Sequence, residues 1–202
     1  LHDALPIYMI RPSDASVEKF QQYMSRKDGW EAKDIIIYDR NDIEIAKIRT
    51  DNYTKLEELG DLPKVVTKIE DKRFNYHNGF DVLSALNTLK NFLLGDGMRG
   101  SSTLAMQIAD MLNPERDEDI RRYKGEIISS NKGSAGWKEA VKQLVPLKLE
   151  EIREARGLEK KYSKDEILEV YMNLCSFTNN AFGYRDAARV YYGKKPSELT
   201  LE

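Results

Sequence analysis

A run of ten residues concentrates groups that could transfer protons. Residues 70–79 contain two carboxylates, Glu70 and Asp71, two cations and His77, at the predicted end of a helix. A carboxylate held there could remove a proton from a hydroxyl, as a general base does. The same run is also typical of a solvated helix end, so by itself it leaves both interpretations open.

Two further segments carry hydroxyls and charges. Residues 100–103, Gly-Ser-Ser-Thr, precede a predicted helix that contains Gln107. Such hydroxyls could cap the helix, or the helix N-terminus could bind a phosphate. Lys148 and Glu151 are three residues apart on another predicted helix, which is the spacing of an ordinary surface ion pair. The single cysteine, Cys175, is predicted to be a small buried residue.

In this order, the segments resemble the peptidoglycan glycosyltransferase domain of glycosyltransferase family 51, found in bifunctional penicillin-binding proteins and monofunctional transglycosylases. The resemblance runs from about Ile37 to Glu202. Its first motif is matched by Glu70, Asp71, Phe74, His77 and Gly79. Its second motif is matched by Gly100, Ser102, Thr103, Leu104 and Gln107. The third motif corresponds to residues 147–151, the fourth to 162–173 and the fifth to 183–194.

The resemblance implies a reaction and its catalytic groups. The family joins a growing glycan, carried on a lipid diphosphate, to the 4-hydroxyl of lipid II, with inversion and release of undecaprenyl diphosphate. Glu70 would be the base, and Lys148 would contact the diphosphate as a mobile charge. Glu151 would assist, either by placing Lys148 or by holding a divalent cation, Mg²⁺ or Mn²⁺. No organic cofactor is expected.

The resemblance also implies the residues that bind substrate. Hydroxyls and an amide would hydrogen-bond the diphosphate or the sugar, and these are Ser102, Thr103 and Gln107. Other residues would shape the site, and these are Asp71, Phe74, His77, Gly79, Gly100 and Asn173. The expected partners are lipid II, the growing glycan strand, the membrane surface and other cell-wall synthesis proteins.

Composition limits the alternatives. The chain has 202 residues, 41% of them hydrophobic, with 32 basic and 34 acidic residues, so no basic excess favours nucleic acid. One cysteine and two histidines exclude an internal disulfide and a Cys- or His-rich metal site. No apolar run is long enough to span a bilayer. By resemblance, we expect an extracytoplasmic module at a bacterial cell membrane, anchored by a transmembrane helix upstream of this chain.

The hydrophobic pattern predicts the elements that position these groups. We expect a mainly α, lysozyme-like, two-lobed domain with a small N-terminal β-hairpin at residues 35–38 and 43–48. Helices are predicted at 63–71, 80–94, 104–112, 147–157, after the Ser163–Glu166 capping box, and at 183–192. Residues 114–146, rich in charge and glycine, are predicted to be a surface excursion with two short helices. Residues 80–99 would either face the membrane or form a core helix.

The chain is predicted to divide into three parts. Residues 1–7 look like a translated adapter, residues 8–34 like a helical lead-in, and residues 35–202 like the glycosyltransferase domain, cut from a longer protein.

Departures from the family pattern keep two rivals open. Leu147 stands where the third motif usually has Arg, Met106 where the second usually has Gln, and Thr178 where Gly is common. Arg116, Arg121 or Arg122 from the excursion could supply the missing charge. A lysozyme-like glycan hydrolase would use the two glutamates alone. A degenerate copy would bind lipid II without turnover.

Overall fold

A computed structural model describes residues 17–21, 24, 35–38, 44–48, 53–94 and 102–200. Within these residues the fold is mainly helical, as predicted. The helices are α1 (Leu62–Glu70), α2 (Val82–Leu94), α3 (Leu104–Met111), α4 (Pro114–Ser129), α5 (Ala135–Lys161), α6 (Lys164–Leu174) and α7 (Gly183–Tyr192). Short 3-10 turns lie at Leu56–Leu59, Phe74–Tyr76 and Pro196–Glu198.

Two short strands, β1 (Ile35–Tyr38) and β2 (Glu44–Ile48), lie where the sequence predicts a hairpin. They pair antiparallel, with Ile35 opposite Ile48 and an irregularity in register between Ile37 and Tyr38. The residues that would connect them, 39–43, lie outside the described residues, as do 1–16 and therefore the adapter-like opening. Of the predicted lead-in, residues 17–21 and 24 are helical.

Capping residues fix the ends of the helices near the site. The hydroxyl of Thr103 accepts a hydrogen bond from the backbone N–H of Met106 at the start of α3. At the start of α6, Ser163 and Glu166 form the predicted capping box. Each cap satisfies backbone N–H groups that have no partner inside the helix. Local sequence therefore sets where α3 and α6 begin.

Residues 114–146 contribute to two helices, as predicted, but these helices are long, and the predicted surface excursion is wrong. Residues 114–129 form one helix, α4, and residues 135–161 form a single helix of 27 residues that passes through Pro146. Proline removes the N–H that would bond the carbonyl of Lys142. Because Lys142 and Pro146 are both exposed, water can hydrogen-bond that carbonyl instead.

Two groups of buried apolar side chains hold the fold together. The main core joins α3, α5 and α6, and includes Leu104, Ile108, Leu158, Ile167 and Met172. A second, smaller core lies between α4 and α5 and consists of Ile120, Ile127, Ala140 and Leu144. Burying each large apolar side chain contributes about 1.5–3 kcal/mol. The second core explains why residues 114–146 are ordered as helices.

The start of α2 is not a core helix. Val82, Leu83 and Leu86 are about half exposed, at 46%, 58% and 56%. A role for residues 80–99 at the membrane stays a prediction, and residues 95–99 lie outside the described residues. In the part of the chain that the structure describes, no helix combines the length and apolar character needed to cross a bilayer.

Candidate active site

Glu70 is the last residue of α1 and its side chain is exposed. One of its oxygens, Oε2, lies 3.5 Å from Nε2 of Gln107, which donates a hydrogen bond. The other end of the same amide, Gln107 Oε1, accepts a hydrogen bond of 3.1 Å from the hydroxyl of buried Tyr171. Because a phenol at neutral pH donates to the amide oxygen, Tyr171 orients the NH₂ group of Gln107 towards Glu70.

Glu70 lies on an open groove. The groove is lined by Ile69, Glu70, Asp71, Lys72, Arg73, Asp81, Leu83, Ser84, Asn87, Ser102 and Thr103. Lys72 and Arg73, next to the glutamate in sequence, line the groove together with the carboxylates of Asp71 and Asp81. Half-buried Ser102 lies in the same groove, so the Glu70 carboxylate, a hydroxyl and an exposed ammonium group face one space.

Asp71, although adjacent to Glu70 in sequence, has a structural role. Its carboxylate is 6% exposed and lies 2.9 Å from Nε2 of His77. It also accepts a hydrogen bond of 3.1 Å from the N–H of Leu104, at the positive N-terminal end of α3. Asp71 and His77 therefore join the end of α1 to the start of α3 and hold Glu70 at the groove.

Thr103 and Gly79 form a second link to α3. The hydroxyl of Thr103 donates to the carbonyl of Gly79 at 2.8 Å while capping α3, and the residue is 1% exposed. Gly79 has a φ of +83°, and a Cβ there would lie 2.5 Å from the carbonyl oxygen of Ala155 in α5. Thr103, which was predicted to bind substrate, thus uses its hydroxyl to join α3 to Gly79, whereas Ser102 faces the groove. Gly100 lies outside the described residues.

Phe74 and Asn173 also have their contacts within the protein. The buried ring of Phe74 has the ammonium of Lys164 4.5 Å from its centroid. The side-chain amide of Asn173 bonds the backbone of Thr54 in both directions, at 2.7 and 2.9 Å, and the carbonyl of Glu169 at 2.8 Å. These two motif residues therefore hold neighbouring segments together.

Sequence reasoning missed the pair of Arg73 and Asp81. The guanidinium Nε donates to Asp81 Oδ2 at 2.9 Å, and Asp81 also accepts from the N–H of Ser84. Burial alone would raise the pKa of Asp81, but the hydrogen bonds from Arg73 and Ser84 outweigh it and lower that pKa. The pair closes one side of the groove. The two residues are eight positions apart in different segments, so no local spacing in the sequence predicts that they form an ion pair.

Lys148 and Glu151 form a second group on α5. The Lys148 ammonium contacts Oε2 of Glu151, a residue that is 0% exposed. Within the described residues, the other oxygen of Glu151, Oε1, has no hydrogen-bond partner. Burial raises the pKa of Glu151 to about 7, Lys148 opposes that rise, and the charge of nearby Asp110 adds to it. Burial therefore favours the neutral form of Glu151, and the contact with Lys148 favours the ionised form.

Of the three candidate arginines, Arg116 lies next to this second group. Its Nη1 lies 2.7 Å from Glu154 Oε2 and its Nη2 3.4 Å from Asp110 Oδ1. Arg121 and Arg122 are exposed and pair with aspartates of their own helix, α4. Leu147 packs against the second core. Only Arg116 brings a guanidinium from α4 to this end of the site.

Helix α3 joins the two groups. Gln107 contacts Glu70, and Asp110, one turn later, contacts Arg116 and interacts with Glu151. The groove around Glu70 is not lined by Lys148 or Glu151. Glu70 of α1 and Glu151 of α5 thus belong to two neighbouring groups, which α3 connects, rather than to a single pocket.

A divalent cation at Glu151 stays a prediction. Across the described ranges there is no cluster of three or more His, Cys, Asp or Glu side chains that could hold a metal ion. One oxygen of Glu151 already contacts an ammonium group. These residues do not fit a resident metal ion, since a single carboxylate would have to hold it beside a positive charge.

Comparison with known proteins decides the family. The family model described as Transglycosylase matches residues 41–202, most of the chain. The chain belongs to the transglycosylase family. This confirms the resemblance drawn from the motifs.

Three relatives show how much of a longer protein this transglycosylase chain represents. A protein of Cupriavidus necator named as a candidate transglycosylase is 32% identical over 147 residues, 71% of this chain and 53% of its own length. Penicillin-binding protein 1F of Bacillus subtilis is 28% identical over 82% of this chain and 20% of its own length. Penicillin-binding protein 1A/1B of the same organism is 32% identical over 82% of this chain and 16% of its own length. The chain thus spans about half of the first relative and about a fifth of the others.

Proposed function

We propose that this transglycosylase domain polymerises lipid II into glycan strands, with inversion at the anomeric carbon. The observation that carries the proposal is the placement of Glu70, exposed on a groove and hydrogen-bonded by an amide that Tyr171 orients. A carboxylate so placed can accept a proton without rearranging its surroundings. Ser102 and Lys72 in the same groove offer a hydrogen bond and positive charge to a polar substrate, whereas the charge of Arg73 is paired with Asp81.

The reaction assigns each group one task. Glu70 takes the proton of the acceptor 4-hydroxyl as that oxygen bonds to the anomeric carbon of the donor. The bond from this carbon to the diphosphate breaks, and its electron pair leaves with undecaprenyl diphosphate. Negative charge grows on the departing diphosphate, so positive groups lower the barrier by stabilising it. Lys148 is the mobile cation for this task, and Glu151 holds it in place.

A lipid-linked substrate also suggests where the domain works. Leu83 lines the groove and, with Val82 and Leu86, gives α2 an exposed apolar edge. Such an edge can lie on lipid while the groove receives a headgroup. We place the domain at the extracytoplasmic face of a bacterial membrane. Lipid II and the growing glycan strand are its substrates, and cell-wall synthesis proteins are its proposed partners.

Incubation of the purified chain with lipid II in detergent and Mg²⁺ tests the proposal. The wild type should form glycan strands, and Glu70→Gln should lower the rate about 10²- to 10⁴-fold, because an amide cannot accept the proton. Glu118→Gln is the matched control, since Glu118 is exposed on α4 and should be silent. Full activity in Glu70→Gln would remove Glu70 as the base. Release of muropeptides from sacculi without lipid II consumption would indicate a hydrolase instead, and saturable lipid II binding without turnover a binding module.

A further inference from the structure

The inner face of α4 carries a lysine. Ile120 and Ile127 are buried against α5, and Lys124 lies four residues after the first and three before the second, on the same face. Lys124 is half-buried, whereas Arg121 and Arg122 on the same helix are exposed. The sequence does not predict that Lys124 is half-buried, because this lysine lies in a highly charged stretch.

Charged groups from three helices surround the Lys124 ammonium. They are Lys148 and Glu151 of α5, Asp110 of α3 and Asp117 of α4. Burial lowers the pKa of Lys124, the charge of Lys148 lowers it further, and the three carboxylates oppose this. Within the described residues, none of these carboxylates lies close enough to Lys124 for an ion pair. The Lys124 ammonium on α4 and the Lys148 ammonium on α5 therefore repel each other, and Glu151 pairs with Lys148.

We propose that Lys124 is a second cation which, with Lys148, binds the diphosphate of the lipid-linked donor. The inference rests on the proposed function. A half-buried ammonium without a direct partner has lost part of its hydration and lies near another positive charge. An anion with several oxygens can bridge both ammonium groups and relieve both costs. The long, flexible lysine stems let the two charges follow the diphosphate as it leaves.

Glu151 affects anion binding at this site. When ionised it pairs with Lys148 and repels an incoming anion, and when protonated it does neither. Arg116 and Lys124 of α4, Asp110 of α3 and Lys148 of its own helix are the charged groups around it.

Binding of inorganic pyrophosphate, measured by titration calorimetry at pH 7, tests the proposal directly. Lys124→Met should weaken binding about tenfold, because one of two charge-assisted contacts is lost. Lys124→Arg should restore most of the affinity. Lys138→Met is the matched control, because Lys138 is exposed on α5 and should leave binding unchanged. Wild-type affinity in Lys124→Met, or no pyrophosphate binding by the wild type, would overturn the proposal.

A thermal unfolding scan separates binding from a structural role. Removing an unpaired, half-buried charge should leave the midpoint of Lys124→Met equal to or above that of the wild type. A lower midpoint together with lost binding would indicate a structural lysine and count against the proposal.

Lipid II kinetics connect the site to the donor. Lys124→Met should raise KM for lipid II about tenfold, in line with the lost diphosphate contact. An unchanged KM beside weakened pyrophosphate binding would show that the site takes free diphosphate, and would overturn the assignment to the donor. Glu70→Gln should bind pyrophosphate like the wild type. A chain that never polymerises lipid II but binds pyrophosphate through Lys124 would therefore refute the proposed function and keep the two-lysine site.

Discussion

The side chain that orients the partner of Glu70, the proposed general base, is Tyr171, which does not line the groove itself. Its hydroxyl fixes Gln107, and Gln107 in turn donates to Glu70. Burial is the main cause that raises the pKa of Tyr171, with neighbouring Cys175, Tyr184 and Glu70 adding to the rise. The hydroxyl thus keeps its proton and stays a donor. Tyr171 is a positioning residue, which acts on the reaction through the amide of Gln107.

Tyr171→Phe tests this role. Without the hydroxyl, the amide of Gln107 can turn its oxygen towards Glu70, so kcat should fall about three- to tenfold. KM should remain unchanged, since no substrate contact is lost. Steady-state kinetics with lipid II measure both constants, and Tyr192→Phe, at an exposed tyrosine, is the control. A kcat equal to that of the wild type would show that Gln107 is held without Tyr171.

At the residue scale, motif spacing predicted which residues belong to the site better than it predicted what each side chain does there. Glu70 and Gln107 are in contact, and so are Lys148 and Glu151, but the two pairs belong to separate groups. The hydroxyl of Thr103, however, is already hydrogen-bonded to the start of α3 and to the carbonyl of Gly79. Sequence cannot distinguish a hydroxyl that caps a helix from one that also faces ligand, because both occupy the same position. Partners that lie on different elements leave no periodic signal.

At the scale of elements, the link between α1 and α2 depends on close contact with α5 at Gly79. Gly79→Ala should lower the free energy of unfolding by about 2–4 kcal/mol, because a methyl group meets backbone and φ is positive. Urea denaturation measures the change. Gly125→Ala is the control: no atom lies within 4 Å of a Cβ at Gly125, which is inside α4. That replacement should stabilise the protein by up to about 1 kcal/mol. Equal stability of the two variants would refute the close contact.

The helices α4 and α5 show where sequence patterns mislead. Gly125 and Gly136 lie inside helices, and Pro146 interrupts none. The apolar residues that order this hairpin are sparse on each helix, so a charged surface excursion is the natural prediction. The sequence does not show that the two helices pack together. Each sparse apolar face is buried only by contact with the other helix. The helices α3 and α6 of the main core were predictable because their apolar faces are continuous.

At the scale of the whole molecule, a buried polar network joins the two cores. Arg116 links α4 to Asp110 of α3 and to Glu154 of α5, and all three side chains are largely buried. Asn113 adds a hydrogen bond of 3.0 Å to the same Glu154 oxygen. Because charges flank the boundary between the cores, the orientation of α4 relative to α3 is set by directional contacts rather than by apolar packing alone.

Replacing Arg116 tests the network. Arg116→Met should destabilise the fold by about 3–5 kcal/mol, because it leaves a buried carboxylate at Glu154 without its cation. Thermal or urea unfolding measures the loss, and addition of Glu154→Gln should recover part of it. Arg121→Met is the control on the same helix and should change stability by less than about 1 kcal/mol, as expected for an exposed pair. A neutral Arg116→Met would mean that packing alone sets the hairpin.

The unbroken length of α5 has a mechanical consequence. At 1.5 Å per residue, its 27 residues make a helix about 40 Å long. Two contacts hold this helix in place, one with the second core at Ala140 and Leu144 and one with the backbone of Gly79 at Ala155. Lys148 and Glu151 lie between these two contacts, so their backbone resists lateral displacement. A load applied across α5 would therefore be carried by the helix and its packing, and would leave the two charged groups in position.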